Sequence, residues 1–325
     1  MTIDVAEVKR RLKALLNDTN LVNEYIRCYG PTIDIKNIKE VKEKRARSLR
    51  ATEEGNGEDP IFEIQVTCPI CNQEEVTCYE LRAKSQSIVH NKFLVPLYKG
   101  ALGYRTVDYT LLSATVCPRC LFASPDKKDF TRPAGTSVPE SKSQLSSNAV
   151  MALQEKIGER RAFLKNVSDY EGYFARPRTD DAAIASYRLA CMRANVEAWF
   201  EQPYSLYKLG AYSLRIAKII KDGGGDNREV LHEAMGYFEE TFRTSNCPAE
   251  ELEMQVIYSV TALALKLGDP KKANSYLGVF ANLKNSRLTE MKENPKLNTA
   301  TIQKWEDRAR RLWEDRDEAD LFANE

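Results

Sequence analysis

The six residues VTCPIC at Val66–Cys71 return as TVCPRC at Thr115–Cys120. A chain that carries two Cys-Pro-X-Cys turns is strongly restricted in what it can fold into between them. A tetrahedral zinc ion takes four ligands, and two Cys-X-X-Cys turns supply them. Two intervening residues let the backbone curl until both sulfurs face one ion. Pro69 and Pro118, each just after the first cysteine, fix φ and lower the entropy lost in holding the turn. The candidate metal ligands are therefore Cys68, Cys71, Cys117 and Cys120, gripping one structural zinc ion.

The sequence around the turns fits a zinc ribbon. Phe62, Ile64 and Val66 alternate with Glu63, Gln65 and Thr67, the repeat of a half-buried strand. Val76–Leu81 and Val107–Val116, rich in Val, Thr and Tyr, are further predicted strands. So little sheet buries little core, whereas a structural zinc site contributes about 10–16 kcal/mol to folding. Other chemistries use different patterns. A redox-active Cys-X-X-Cys is normally a single copy in a βαβ setting, and catalytic zinc keeps an open position beside His or carboxylate ligands. Only two histidines exist, His90 and His232. His90 and Cys78 lie close enough in sequence to approach the metal, yet read as a loop histidine and a strand cysteine.

The rest of the chain is predicted helical, which makes the fold class α+β, mostly α. Residues 1–50 form a charged helical segment with Val5, Val8, Leu12 and Leu15 on one face. From Lys36 to Arg50 it carries seven basic and two acidic residues, read as a solvated face, with contact to nucleic acid or phosphate as the alternative. Thr52–Pro60 reads as a linker, 61–130 as the zinc-ribbon-like module, and the Pro/Ser/Gly-rich stretch 131–149 as a second linker. The helical domain covers 150–325. Val150, Leu153, Ile157 and Leu164 mark one helix. Ala183–Phe200 forms another, with Thr179, Asp180 and Asp181 as candidate caps. Pro203 separates it from Tyr204–Lys221, and Gly223–Gly225 break the next connection. Pro248 is placed in the first turn of a helix reaching Leu267, and Gly268–Pro270 turn the chain again. Ile302, Trp305, Ala309 and Leu312 line a final charged helix.

Ala234 with Phe238, and Ala273 with Leu277, set a small residue one turn before a bulky one. Leu267–Leu277 and Glu233–Phe238 resemble the second half of a tetratricopeptide repeat, although the interval between the two alanines is longer than a regular array allows. The expectation is an irregular stack of tetratricopeptide-like helical hairpins.

Composition narrows the partners. With 48 basic and 47 acidic side chains among 325 residues, the net charge is +1, which gives no general attraction to polyanions. No run reaches the ~20 apolar residues that cross a bilayer. The amphipathic start lacks the apolar core of a signal peptide. The other cysteines, Cys28, Cys78, Cys191 and Cys247, are scattered singly, as in a reducing compartment. The expected location is cytoplasmic.

The pieces VTCPIC, LVPLYKGALGYRTVDYTLLSATVCPRC and LFASPDKKDF resemble the bacterial domain of unknown function 2225 family, with its CPxC turn, aromatic strand and second turn of the form CPxCGYA. The resemblance implies metal binding at the same four cysteines, followed by tetratricopeptide-like helices. It supplies no activity. Where the family has glycine after the last cysteine, this chain has Leu121, while Asn72 follows the first pair. Leucine resists the left-handed conformation that asparagine tolerates, which predicts either a looser second turn or a different backbone path there.

Three function classes follow. The first is a non-enzymatic, zinc-binding adaptor whose helices dock another protein, with Tyr204, Tyr207, Tyr212, Tyr237 and Tyr258 as groove or core aromatics. The second is nucleic-acid binding through the ribbon, using Arg82, Lys84, Lys92, Lys99, Arg105 and Arg119 with Tyr98, Tyr104 and Tyr109 as stacking rings. The third is an enzyme, for which the chain offers no phosphate loop, nucleophile elbow or His-Glu metal motif. Lys221–Asn227 lacks the Lys-Ser/Thr of a phosphate loop. No catalytic or organic-cofactor residue is assigned.

Overall fold

At Ile61 the side-chain period switches to alternation, and the chain enters β1 (Ile61–Val66), which pairs antiparallel with β2 (Val76–Leu81) from Ile61↔Leu81 to Val66↔Val76. The structure is a computed structural model that describes residues 5–16, 22, 25–26, 30, 32–38, 57–131, 145–318 and 321–322. Cys28, the basic run 39–50, the start of the first linker and most of the second lie outside the described residues.

A second hairpin, β3 (Gln86–His90) with β4 (Pro96–Gly100), follows. Its turn is organised by Asn91, whose side-chain oxygen accepts the Phe93 and Val95 N–H groups at 3.0 and 2.8 Å. The third ladder, β5 (Thr115–Val116) with β6 (Ala123–Ser124), is two residues long. The module is thus three two-stranded ladders. The strand predicted over Val107–Val116 survives only at its last two residues. Asp108 Oδ1 accepts the Thr110 N–H at 3.0 Å and starts a 3₁₀ turn at Tyr109–Leu111, so a local side-chain bond overrides β propensity.

The N-terminal helix α1 (Val5–Leu16) packs Leu12 in a small cluster with Val22, Tyr25 and Ile38. After the module the chain is helical. Ser146 caps α2 (Ser147–Glu155), which begins inside the stretch read as linker. The helix predicted across Val150–Leu164 is two, because the chain breaks at Lys156 before α3 (Ile157–Phe163). A short α4 (Tyr170–Phe174) leads to α5 (Asp180–Trp199), where Thr179 accepts the Ala182 N–H as the expected cap. Then come α6 (Ser205–Asp222), α7 (Arg228–Thr244), α8 (Glu250–Leu267), α9 (Pro270–Glu293) and α10 (Ala300–Glu314). Pro248 sits ahead of the Ala249 cap instead of inside α8, and the first turn is acidic through Glu250, Glu251 and Glu253, which suits the helix dipole. Gly268 takes φ 84° to end α8, and Asp269 then caps α9, with Pro270 at its start.

From α5 to α9 each helix packs on the next, and α10 returns onto α8 and α9. The close approach of α6 and α7 needs Gly210, where a Cβ would lie 2.7 Å from the Phe238 ring. Ala234 and Phe238 are buried; around Ala273, Phe280 takes the fully buried place and Leu277 is half-buried. Tyr212 and Tyr258 belong to the core, while Tyr204, Tyr207 and Tyr237 are half-buried.

Alanines 182, 183, 190 and 194 are fully buried on α5, and small side chains let that helix lie against β6 on one side and α6 on the other. One continuous hydrophobic cluster joins Phe93, Val95, Val116, Leu121 and Ala123 of the module to α5–α10.

Candidate metal centre

Each cysteine turn sits at the end of a hairpin, the first between β1 and β2 and the second between β5 and β6. Their backbones match bond for bond. Cys68 N–H donates to Gln73 O at 2.9 Å, and Asn72 N–H returns to Cys68 O at 3.0 Å. In the second turn Cys117 N–H donates to Phe122 O at 2.9 Å and Leu121 N–H returns to Cys117 O at 2.9 Å. Asn72 and Leu121 share the left-handed conformation, at φ 54° and 59°. The looser second turn predicted from Leu121 is therefore not found. Its side chain is fully buried in the main core, and that packing holds a conformation costing roughly 1–2 kcal/mol.

Backbone N–H groups point at the sulfurs, that of Ile70 at Cys68 Sγ (3.5 Å), those of Cys120 and Arg119 at Cys117, and that of Phe122 at Cys120. Across the turns Cys68 Sγ lies 3.5 Å from Cys120 Sγ, and Cys71 Sγ lies 3.6 Å from Cys117 Sγ. All four sulfurs fall within 4.8 Å of one another. These separations are too long for disulfides, whose bond is about 2.05 Å. They are close to the ~3.8 Å edge of a tetrahedron with metal–sulfur bonds of about 2.3 Å. Cys120 and then Cys68, as hydrogen-bonding neighbours, pull the Cys117 thiol down to about 2; Cys117 in turn drives Cys68 far up and Cys120 up to about 12. Four soft donors at this spacing, three of them buried, fit a metal ion.

The two competing ligands lie elsewhere. Cys78 is buried on β2 opposite Ile64, and His90 is exposed at the end of β3; neither belongs to the cluster.

Helices grip both turns. Gln154 of α2 donates to Ile70 O at 2.7 Å. Arg161 of α3 donates to Arg119 O at 3.0 Å. Between them Arg160, 1% exposed, donates to Cys120 O at 2.9 Å and to Leu153 O at 2.7 Å. The last bond satisfies a carbonyl left free at the end of α2. Burial pulls the Arg160 guanidinium down from its usual range, and the neighbouring sulfurs of Cys120, Cys68 and Cys117 oppose that. A buried cation here would offset part of the charge of four thiolates.

A second tie crosses deeper down. Arg193 of α5 is ion-paired with Asp129 of the module and, at 2.5 Å, with Glu197; Lys208 of α6 completes the chain to Glu197 at 2.6 Å. Desolvation alone would lower Arg193, but Asp129 and Glu197 outweigh it and the guanidinium is raised. Ser124 donates to Asp129 at 2.5 Å. Neither Arg160 nor this network was singled out from sequence, where each is one more charge on a helix.

The basic and aromatic residues of the module have differing surroundings. Arg105 is buried against Asp59 at 3.2 Å, Arg82 lies over the Phe62 ring, and Lys92 bonds Leu321 O. Lys84, Lys99 and Arg119 are exposed, and Tyr104 is half-buried. Tyr98 and Tyr109 pack edge to face at 5.8 Å, and Tyr109 donates to Tyr79 O at 2.7 Å. Among the described residues no helix is long and apolar enough to cross a membrane.

No curated protein and no solved structure matches this chain. Residues 61–308, from the first strand through both cysteine turns and well into α10, match the model of a family described as uncharacterized proteins conserved in bacteria (DUF2225). The chain belongs to that family.

Proposed function

We propose that Cys68, Cys71, Cys117 and Cys120 hold one structural zinc ion in a ribbon-like module, and that the helical half is an adaptor of tetratricopeptide type that docks another protein in the cytoplasm. The observation that carries the reading is the close set of four sulfurs, on turns whose backbone carbonyls are held by Gln154, Arg160 and Arg161. Zinc favours four thiolates, and a filled tetrahedron leaves no position for substrate. When bound, the ion supplies the charge that keeps the thiols ionised and joins the two hairpin ends. The chain's own residues set the spacing, offer backbone N–H groups to the sulfurs and balance part of the charge through Arg160. This supports a structural, non-enzymatic centre that fastens the module to α2, α3 and α5.

For docking, the supporting feature is Trp199, 83% exposed at the end of α5. It borders a groove of about 640 Å³ with Met192, Val196 and Phe200 on one wall and Ala152 and Glu155 on the other. An indole left in water beside apolar neighbours is the kind of anchor that dominates protein interfaces. Affinity purification with native and Trp199→Ala chains, both metal-loaded, tests the reading. A protein retained by the first and lost from the second supports it; identical retained sets contradict it.

A further inference from the structure

Between the module and α6 lies a second cleft, of about 620 Å³, within the range of small-molecule sites. Lys208, Ala211, Tyr212 and Arg215 recur at helical spacing along its α6 wall, joined by Tyr207 and Phe238. Phe93, Val95 and Tyr109 of the module form the opposite side.

Of the three cations lining the cleft, two are paired with carboxylates, Lys127 with Glu80 at 2.8 Å and Lys208 with Glu197. Asp126, at the module edge, accepts the Lys128 N–H at 3.0 Å and keeps its negative charge. Nearby Asp108 is taken by Lys218 at 2.7 Å. Arg215 differs. Half-buried, it donates from one nitrogen to Ala211 O at 3.2 Å, and among the described residues it has no carboxylate partner. The groups that feel its charge are the hydroxyls of Tyr98, Tyr187, Tyr207 and Tyr212, and burial pushes each of them up, so they are neutral at ordinary pH. A guanidinium has five donors in a planar fork that matches carboxylate or phosphate. Here that fork stands among aromatic rings, and the one bond it makes among the described residues is to Ala211 O.

We propose that this cleft binds a small anionic ligand, a carboxylate or phosphate carried on a ring-sized apolar body, with the anion on Arg215 and the body against Tyr207, Tyr212 and Phe238. The site uses neither the metal centre nor the Trp199 groove, so it goes beyond the adaptor reading and stands or falls separately.

Calorimetric titration of the full, metal-loaded chain with phenyl phosphate, benzoate and inorganic phosphate tests it. Phenyl phosphate or benzoate is expected to bind saturably, and the tighter of the two assigns the anion as phosphate or carboxylate. Inorganic phosphate is expected to bind at least tenfold more weakly. Arg215→Gln should weaken binding at least tenfold, with Arg215→Lys in between. Ala211→Leu, which fills the cleft and leaves Arg215 in place, should abolish it with metal content and helical circular dichroism intact. The proposal is overturned if neither aromatic anion binds, if inorganic phosphate binds as well as phenyl phosphate, or if Arg215→Gln or Ala211→Leu binds like the native chain.

Discussion

Asn72 and Leu121 occupy the same place in the two cysteine turns, with φ values of 54° and 59° and the same hydrogen bond back to the first cysteine. One residue type is suited to that conformation and the other is not, so the second turn is held by burial and the first by local preference. Leu121→Gly should therefore destabilise the protein by about 2–4 kcal/mol, because a buried leucine is worth more than the strain released. Asn72→Gly should change stability by less than about 0.5 kcal/mol, since both residues accept the left-handed region. Urea denaturation of the two variants measures this; a stabilised Leu121→Gly would contradict it.

Arg160 is predicted to matter to the metal as well as to the fold. Arg160→Met leaves the buried carbonyls of Cys120 and Leu153 without donors, at about 1–3 kcal/mol each. It also removes the cation beside the thiolates, so competition against a coloured chelator should show metal held roughly 10–100-fold less tightly. Unchanged metal retention would count against the electrostatic role.

The Asp129–Arg193 pair joins the module to α5 where water is excluded. Asp129→Asn strands a buried guanidinium with one carboxylate in place of two, and the expected loss is about 3–5 kcal/mol. A loss below about 1 kcal/mol, measured by chemical denaturation of the metal-loaded chain, would mean that the pair is not the tie described.

These cases show what sequence could and could not disclose. The gathering of Cys68, Cys71, Cys117 and Cys120 was legible because two matched Cys-Pro-X-Cys turns carry a local spacing that suits one shared ion. β1, β2 and the long helices were legible from alternation and helical periodicity. The β3–β4 hairpin was not, since Ile88 and Val89 face water and its turn depends on one asparagine side chain. Arg160 and Arg193 were not either, because each finds its partner in the module, far away along the chain.

A pH dependence follows from Asp59. Desolvation alone would raise its carboxyl, but the Arg176 hydrogen bond at 2.7 Å, with Arg105 beyond, holds it below its ordinary value. A carboxyl depressed by folding adds stability above its unfolded pKa, about 3.9, and loses it as pH falls through the lower folded value. Asp59 is partly exposed, so the effect at neutral pH is about 1 kcal/mol or less. Asp59→Asn should be less stable than native at pH 7, and the gap should narrow as pH falls from neutral into the carboxylate range. A gap that stays constant or widens in acid would contradict the sign.

Metal analysis of the purified chain, with thiols titrated in parallel, bears most directly on the four-sulfur centre. One zinc per chain is predicted, lost in both Cys68→Ser and Cys117→Ser, with no cross-link among the four sulfurs. A chain that folds without metal, or in which these cysteines are joined as disulfides, would contradict the account.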